Sequence, residues 1–193
     1  MGREYELKFR ADPHLLDRIQ TDFSGQWHRI SMKTTYYDTP MAALSARKWT
    51  LRHRMENDTH ICTLKTPAAG GARGEWETEC ADILEAVPIL AEASGQPDLE
   101  ALAADGLFPV CGAEFVRLAR TFPMGDCMGE MALDQGVLRN GSRELPFAEI
   151  ETELKAGSRE ALDAFGAELA RTYGLQHQPR SKYVRARLLG MEE

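Results

Sequence analysis

Charged side chains alternate with apolar ones at the start of the chain, over residues 4–9. Successive side chains of a β-strand point to opposite faces, so Glu4, Glu6 and Lys8 would share one face of such a strand. Carboxylates are ligands for hard divalent cations, and an ammonium group attracts phosphate. This face therefore predicts an ion-binding site, with an ordinary solvated outer face as the alternative.

The same alternation recurs along the chain, with basic residues mainly in some segments and acidic residues in others. If the sheet closed into a barrel with this face inside, one side would grip phosphates and the other would hold Mg²⁺ or Mn²⁺. The pattern then predicts a site for a metal–polyphosphate complex, whereas an amphipathic sheet would turn the same face to water. The residues concerned are Arg52, Arg54, Thr63, Lys65, Glu75, Glu77, Glu79, Arg120, Glu130, Asp134, Glu149, Glu151, Glu153 and Lys182.

Length and composition are those of one globular domain, residues 1–193, with 43% hydrophobic and 27% charged residues. The net charge of −7 argues against wholesale nucleic-acid binding. Without an apolar leader or a membrane-length apolar run, a cytoplasmic location away from membranes is expected. Neither Cys-x-x-Cys nor His-x-x-x-His spacing occurs. The four cysteines are therefore expected to be free thiols rather than zinc ligands or disulfides, and a zinc hydrolase is not expected.

Helix signals punctuate the strand-like segments. Asp12 and Pro13 predict a helix start, and Ser158 predicts the cap of a long helix that ends at Gly174. A helical insert is expected over about 82–112, interrupted near Pro88, and a last strand over 181–188. The chain therefore predicts an α+β protein built around a large antiparallel sheet or closed barrel.

The ordered motifs resemble the CYTH domain of the triphosphate tunnel metalloenzyme family. The hallmark Glu-x-Glu-x-Lys of that family is present as Glu4, Glu6 and Lys8. Eight such motifs occur in order over nearly the whole chain, which makes the resemblance specific. The others are Tyr36-Tyr37-Asp38-Thr39-Pro40, Leu51-Arg52-His53-Arg54, Thr63-Leu64-Lys65, Arg73-Gly74-Glu75-Trp76-Glu77 with Arg120, Leu133-Asp134-Gln135-Gly136, Glu149-Ile150-Glu151-Thr152-Glu153-Leu154 and Ser181-Lys182-Tyr183.

The resemblance implies an eight-stranded antiparallel closed β-barrel, a triphosphate tunnel, with flanking helices. It implies a catalytic set of Tyr36, paired with Lys65 for proton transfer, together with Glu4 and Glu6. The implied phosphate ligands are Lys8, Arg52, Arg54, Lys65, Arg120 and Lys182. The implied metal ligands are Glu4, Glu6, Asp134 and two of Glu149, Glu151 and Glu153, and the sequence does not tell which two.

The resemblance also implies an activity, the hydrolysis of a triphosphate with Mg²⁺ or Mn²⁺ as cofactor. Inorganic tripolyphosphate is the first expected substrate, with ATP and thiamine triphosphate as further options. One alternative is a class IV adenylate cyclase, which would convert ATP to cyclic AMP and pyrophosphate. Another is a non-catalytic polyphosphate or nucleotide binder, which would not require the carboxylates. No nucleic-acid or membrane partner is expected, and the oligomeric state stays open, a homodimer included.

Overall fold

The computed structural model describes residues 2–67 and 73–190, with side chains described from Tyr5 onwards. This part of the chain contains ten strand segments and six helices. The strands are β1 (Gly2–Glu4), β2 (Glu6–Arg10), β3 (His28–Asp38), β4 (Thr50–Glu56), β5 (Thr59–Pro67), β6 (Arg73–Glu79), β7 (Phe108–Met124), β8 (Cys127–Asn140), β9 (Arg143–Ala156) and β10 (Gln176–His177). The helices are α1 (Pro13–Asp22), α2 (Ala43–Ala46), α3 (Ile83–Ser94), α4 (Asp98–Ala103), α5 (Arg159–Tyr173) and α6 (Lys182–Leu189).

All the strands belong to one antiparallel sheet, in the order β1-β6-β5-β4-β3-β7-β8-β9-β2-β10. This series of pairs has two ends, so the expectation of a closed barrel of eight strands is wrong in both strand number and closure. Only Tyr5 separates β1 from β2, yet β1 pairs with β6 and β2 pairs with β9. Counted as one strand they reduce the number to nine, and because they join opposite sides, the sheet curls around an interior.

Helices cover the outer face of this sheet in two places. The helices α3 and α4 pack on β5 and β6 around Leu51, Leu64 and Leu90, none of which is exposed. On the other side α1 and α5 pack on β2 and β9 around Ile19 and Ile150. The apolar side chains of the strands therefore face the helices, and the alternating charged side chains face the interior. This arrangement excludes the solvated outer face as the position of Arg52 and Glu151.

Two helix starts confirm the capping signals in the sequence. The Asp12 side chain accepts a hydrogen bond from the Leu15 amide at the start of α1, and Ser158 accepts one from the Ala161 amide at the start of α5. Gly174 ends α5 with φ of 67°, a left-handed conformation that glycine adopts without a Cβ clash. These helices are positioned by local chemistry, as the sequence predicts.

Three expectations about secondary structure are wrong. Residues 181–188 form no strand, because the Ser181 side chain caps α6 by accepting from the Val184 amide. Pro88 lies inside α3, which continues past it because Val87 and Leu90 anchor the helix to the sheet on either side. The helices of the insert end at Ala103, and β7 begins at Phe108, so the insert is shorter than 82–112.

Two simpler expectations concern the cysteines and the membrane. None of the four cysteines forms a disulfide bond, as expected. In the described part of the chain, no helix is both long and apolar enough to cross a membrane.

Candidate active site in the curled sheet

The interior of the curled sheet contains a cavity of about 330 Å³ whose lining is mostly charged. Nine of the predicted site residues line it: Glu6, Lys8, Tyr36, Arg52, Arg54, Lys65, Glu151, Glu153 and Lys182. Arg73, Arg117, Lys155, Glu56, Glu75, Glu77 and Glu130 also line it. The side chain of Glu4, expected to be a metal ligand and catalytic, lies outside the described residues.

One side of the cavity, here called the basic wall, consists of Arg52 and Arg54 on β4 and Lys65 on β5. Arg54 is 7% exposed, and its Nε donates to Thr34 Oγ1 at 3.0 Å. Burial, together with neighbouring Arg52 and Arg117, lowers the pKa of Arg54 to about 10. Because that value is still well above 7, these guanidinium groups stay charged at neutral pH and repel one another. An anion bound between them would relieve this repulsion.

Carboxylates beside the basic wall, which also line the cavity, orient its cations. The Lys65 Nζ lies 3.0 Å from Glu75 Oε1, and Arg52 NH2 lies 3.4 Å from one oxygen each of Glu75 and Glu77. Glu77 is itself held by the Thr63 hydroxyl, which donates at 2.9 Å. The positive groups therefore point into the cavity in fixed positions, which lowers the entropic cost of binding an anion there.

Deeper in the interior, Asp134, Glu149 and Glu151 form a buried trio with one oxygen of each within 4.8 Å of the others. Lys182, on α6, lies 2.7 Å from Asp134 and 3.0 Å from Glu151, and it also pairs with Glu149. Burial alone would lower the pKa of Lys182, but the three carboxylates outweigh burial and raise it. The ammonium group is therefore held fully charged inside the protein.

Two arginines complete the compensation of the buried trio. Arg117 donates to Asp134 at 2.8 and 2.7 Å and to Glu151 at 2.5 Å, and Arg185 pairs with Glu149. Burial would raise the pKa of Glu151, but Lys182 and Arg117 outweigh it and lower the pKa well below its usual range. Three cations thus face three carboxylates, so the charge of the trio is compensated, and a divalent cation bound there would have to displace these ion pairs.

A second group of carboxylates, here called the acidic row, lies on the cavity side opposite the basic wall. Glu6 on β2 is directly opposite Glu153 on β9, and Glu153 is directly opposite Glu130 on β8. Lys8 lies 2.6 Å from Glu6, and Lys155 lies 2.8 Å from Glu153. All three carboxylates line the cavity, and an all-oxygen group of this kind suits a hard cation such as Mg²⁺ or Mn²⁺.

The register of β9 separates the three alternating glutamates. They share the inner face, as the sequence predicts, but their surroundings differ. The side chain of Glu149 is fully buried and ion-paired to Lys182 and Arg185. Glu151 and Glu153 line the cavity. These two are therefore the glutamates of β9 that a bound ion could reach.

Arg120 lies away from the cavity, although the sequence places it among the phosphate ligands. Its guanidinium NH1 donates to the carbonyl oxygens of Phe23 at 2.8 Å and Ser24 at 2.6 Å, beyond the end of α1. Arg117, three residues earlier, points inwards instead and is one of the cavity residues that the sequence interpretation missed, with Glu56 and Lys155. The signal was present, because Leu118 and Phe122 share the Arg120 face and mark it as the outer one.

Aromatic side chains fix α6 against β3 at one end of the cavity. The rings of Tyr36 and Tyr183 lie 5.1 Å apart, and the Tyr183 hydroxyl lies 2.7 Å from Ser45 Oγ. Ser45 in turn pairs with the buried carboxylate of Asp38. These contacts hold α6 in a position from which the Lys182 side chain extends into the interior. Tyr36 and Lys182 therefore both line the cavity, although they are distant in sequence.

Curated proteins include relatives of this chain. The chain is 30% identical over 199 residues to the inorganic triphosphatase of Haemophilus influenzae. This alignment covers 100% of this chain and 56% of that protein. It is 33% identical over 104 residues to the thiamine-triphosphatase of Macaca fascicularis. This second alignment covers 54% of this chain and 41% of that protein. The chain spans about half the length of the curated relatives it matches.

Solved structures share the fold. A candidate adenylate cyclase from Bacillus halodurans has a TM-score of 0.69 at 19% identity, over 94% of this chain and 96% of that one. A candidate adenylyl cyclase from Hippeastrum with a dominant triphosphatase activity also has a TM-score of 0.69, at 20% identity over 97% of this chain and 96% of that one. The sequence model of the CYTH domain matches residues 2–186. The chain therefore belongs to the CYTH domain family.

Proposed function

We propose that this protein hydrolyses a triphosphate, with inorganic tripolyphosphate as the preferred substrate. The observation that carries the proposal is the buried guanidinium of Arg54, crowded by Arg52 and Arg117 and facing a cavity lined on its other side by carboxylates. A bound anion would add to the carboxylates that already pair with Arg52 and Arg117, and a bound cation would add to the lysines beside the acidic row. The inorganic triphosphatase and thiamine-triphosphatase relatives support the same reaction class.

The lining of the cavity favours a bare polyphosphate over a nucleotide. Fifteen of its 22 lining residues are charged. Sites for purine bases and other organic groups are lined predominantly by apolar and aromatic side chains. We therefore assign Arg52, Arg54 and Lys65 to the phosphate chain, with Lys8 and Lys182 beside them.

The residues present fit a resident Mg²⁺ or Mn²⁺ at the acidic row. Glu6 and Glu153, with Glu151 beside them, would hold the ion, and Glu4 stays a predicted ligand. Such an ion, when bound, polarises a phosphoryl oxygen and lowers the pKa of its water. We propose that Asp134 and Glu149 do not bind the ion directly but fix Lys182 and Arg117 at the cavity wall.

The protein's own contribution to the reaction is positioning and charge compensation. In phosphoryl transfer, negative charge spreads over the oxygens of the transferred group, and fixed cations stabilise it. The basic wall would supply these cations without reorganisation, because Glu75 and Glu77 already hold them in place. Tyr36 and Lys65 both line the cavity, and their role in proton transfer stays a prediction.

A substrate panel tests the proposal. Tripolyphosphate, ATP, thiamine triphosphate and pyrophosphate are incubated with the protein and either Mg²⁺ or Mn²⁺, and phosphate and cyclic AMP are measured together. We expect phosphate release, fastest from tripolyphosphate, and no release when chelator removes the ion. Cyclic AMP formation from ATP would identify a cyclase instead. Tight tripolyphosphate binding without turnover under any of these conditions would identify a binding module.

Substituting Glu153→Gln should weaken Mn²⁺ binding at least about tenfold, since even changes next to a metal ligand cost that much. The amide keeps the size of the side chain but removes its negative charge. Electron paramagnetic resonance of added Mn²⁺ measures the free ion directly. Glu92→Gln, an exposed change on α3, is the matched control and should bind Mn²⁺ as the parent does. Equal affinity in both variants would place the ion elsewhere.

Tripolyphosphate and Mg²⁺ together should stabilise the fold more than the two separate effects added. A ligand that binds only the folded state adds about 2.7 kcal/mol at a hundredfold excess over its Kd. For a chain of this size, that corresponds to roughly 5–10 °C in Tm. Melting curves with tripolyphosphate, Mg²⁺, both, and chloride of matched ionic strength measure the effect. Four equal shifts would indicate general salt stabilisation and argue against a joint site.

A further inference from the structure

The cavity lining contains eight lysine and arginine side chains, and Arg73 differs from the other seven. Each of those seven has a carboxylate oxygen within 3.5 Å of one of its nitrogens. Arg73, by contrast, forms no ion pair with any side chain that the structure describes. Charged groups inside proteins are normally paired, because an uncompensated charge is costly to remove from water. The half-buried guanidinium of Arg73 is therefore open to an anion.

The fold holds Arg73 in place although it is the first residue of β6. On its two sides, the ladder places Pro67 of β5 and Glu4 of β1 directly opposite it. The next residue, Gly74, faces outwards, where a Cβ would lie 2.3 Å from the Trp76 ring. Trp76 packs against the hydrophobic core under α3 and α4. The backbone is thus fixed by both neighbouring strands and from the outside, while the Arg73 side chain lines the cavity.

Arg73 lies where the basic wall approaches the acidic row. On the inner face of β6 it is two residues, about 7 Å, from Glu75, which pairs with Lys65 of the basic wall. Across the ladder it is level with Glu4, and two residues further along the chain is Glu6 of the acidic row. A phosphate chain on the basic wall and an ion on the acidic row would therefore meet close to Arg73.

We propose that Arg73 is a further ligand of the triphosphate and binds it at the end that the ion also holds. The assignment rests on the proposed function, because it presupposes a phosphate chain in the cavity. A guanidinium presents a planar fork of N–H donors that matches two oxygens of a phosphate group. Since no described carboxylate competes for this fork, Arg73 can bind the substrate without giving up an existing ion pair. The other seven cations must share their donors between carboxylate and phosphate.

Calorimetry of tripolyphosphate binding, in the presence of chelator and at fixed ionic strength, tests the proposal without turnover. We expect Arg73→Gln to bind about 10–100-fold more weakly than the parent, the range for one charge-assisted contact. Arg73→Lys keeps the charge but loses the fork, so its affinity should lie between those of the two. Arg29→Gln, an exposed change on β3 outside the cavity, is the matched control and should bind as the parent does.

Mn²⁺ binding, followed by electron paramagnetic resonance, separates a ligand role from a structural one. In the absence of tripolyphosphate, Arg73→Gln should bind Mn²⁺ at least as tightly as the parent, because a positive charge near the acidic row has been removed. A structural role alone would instead weaken the binding of Mn²⁺ and of tripolyphosphate together, and that result would overturn the assignment.

The remaining outcomes distinguish the assignment of Arg73 from the proposed function. If the parent binds tripolyphosphate through Arg73 but releases no phosphate, the hydrolysis is contradicted and the assignment stands. If the parent hydrolyses tripolyphosphate while Arg73→Gln and Arg73→Lys keep parental affinity, the assignment alone is overturned. It is overturned as well if Arg29→Gln loses as much affinity as Arg73→Gln, or if the parent binds no tripolyphosphate. Circular dichroism checks folding, and Arg73→Lys replaces Arg73→Gln should the latter unfold.

Discussion

Replacing Lys182 by methionine should cost about 3–5 kcal/mol of the free energy of unfolding, because breaking a buried ion pair leaves uncompensated charge inside the protein. Lys182 is the one cation that contacts all three members of the buried trio among the contacts described here. Methionine keeps the unbranched side chain and can still pack on the rings of Phe115 and Phe147, which lie 5.0 and 5.5 Å from the ammonium. The loss would therefore report charge rather than volume.

Urea denaturation with linear extrapolation measures the effect. Lys155→Met is the matched control, since that lysine is also ion-paired to glutamates but is 39% exposed. Exposed pairs contribute about 0–1 kcal/mol, so this control should remain close to the parent. If Lys182→Met lost as little stability as the Lys155→Met control, solvent would reach the buried trio. Its carboxylates would then not depend on Lys182.

The inward face of each strand could be predicted from the sequence because alternation is a local property of the chain. Arg52 and Arg54 share the cavity face, and Leu51, directly before Arg52, is buried under the helices, as the pattern requires. The same holds for Glu151, Glu153 and the intervening Thr152. The starts of α1 and α5 were equally predictable, since a capping side chain contacts an amide only two or three residues away.

The alternating pattern gave a wrong prediction of a strand where no partner strand exists. From Val184 to Leu188, apolar and basic residues alternate as they would in a strand, yet the segment is the helix α6. Arginine, alanine and leucine are all good helix formers, and Ser181 supplies the cap. The surrounding fold favours the helix over the strand. In the helix, Arg185 donates to Glu149, and the Ala186 carbonyl oxygen accepts from Asn140.

The different surroundings of the carboxylates could not be predicted, because they depend on which strands are neighbours and in what register. Asp134 is directly opposite both Arg117 and Glu149, and this pairing joins the buried trio to its cations. Glu153 instead faces Glu6 and Glu130. The same inner face thus contains a buried group held by Lys182 and two arginines and a second group that lines the cavity, a distinction that no single strand carries.

The double change Arg52→Ala with Arg54→Ala should weaken tripolyphosphate binding by about 10²–10⁴-fold. Each guanidinium would make charge-assisted hydrogen bonds to phosphate, worth about 1.5–3 kcal/mol, and each 1.4 kcal/mol is tenfold in affinity. Each single change should cost less than half of the binding free energy that the double change costs. Removing one arginine also relieves the repulsion between the two, which contributes to the lowered pKa of Arg54. Since both contacts would persist during the reaction, kcat/KM should fall as well.

Arg120→Ala is the control that separates the structure from the sequence pattern. It removes one positive charge from the chain, as each single arginine change does, but on the outer face, where Arg120 donates to the carbonyl oxygens of Phe23 and Ser24. Titration calorimetry with tripolyphosphate and Mg²⁺, at fixed ionic strength, should therefore show parental affinity for Arg120→Ala even if its Tm falls. If Arg120→Ala lost affinity as strongly as the single variants Arg52→Ala and Arg54→Ala, the loss would follow net charge rather than position. The basic wall would then not be the site of the phosphate chain.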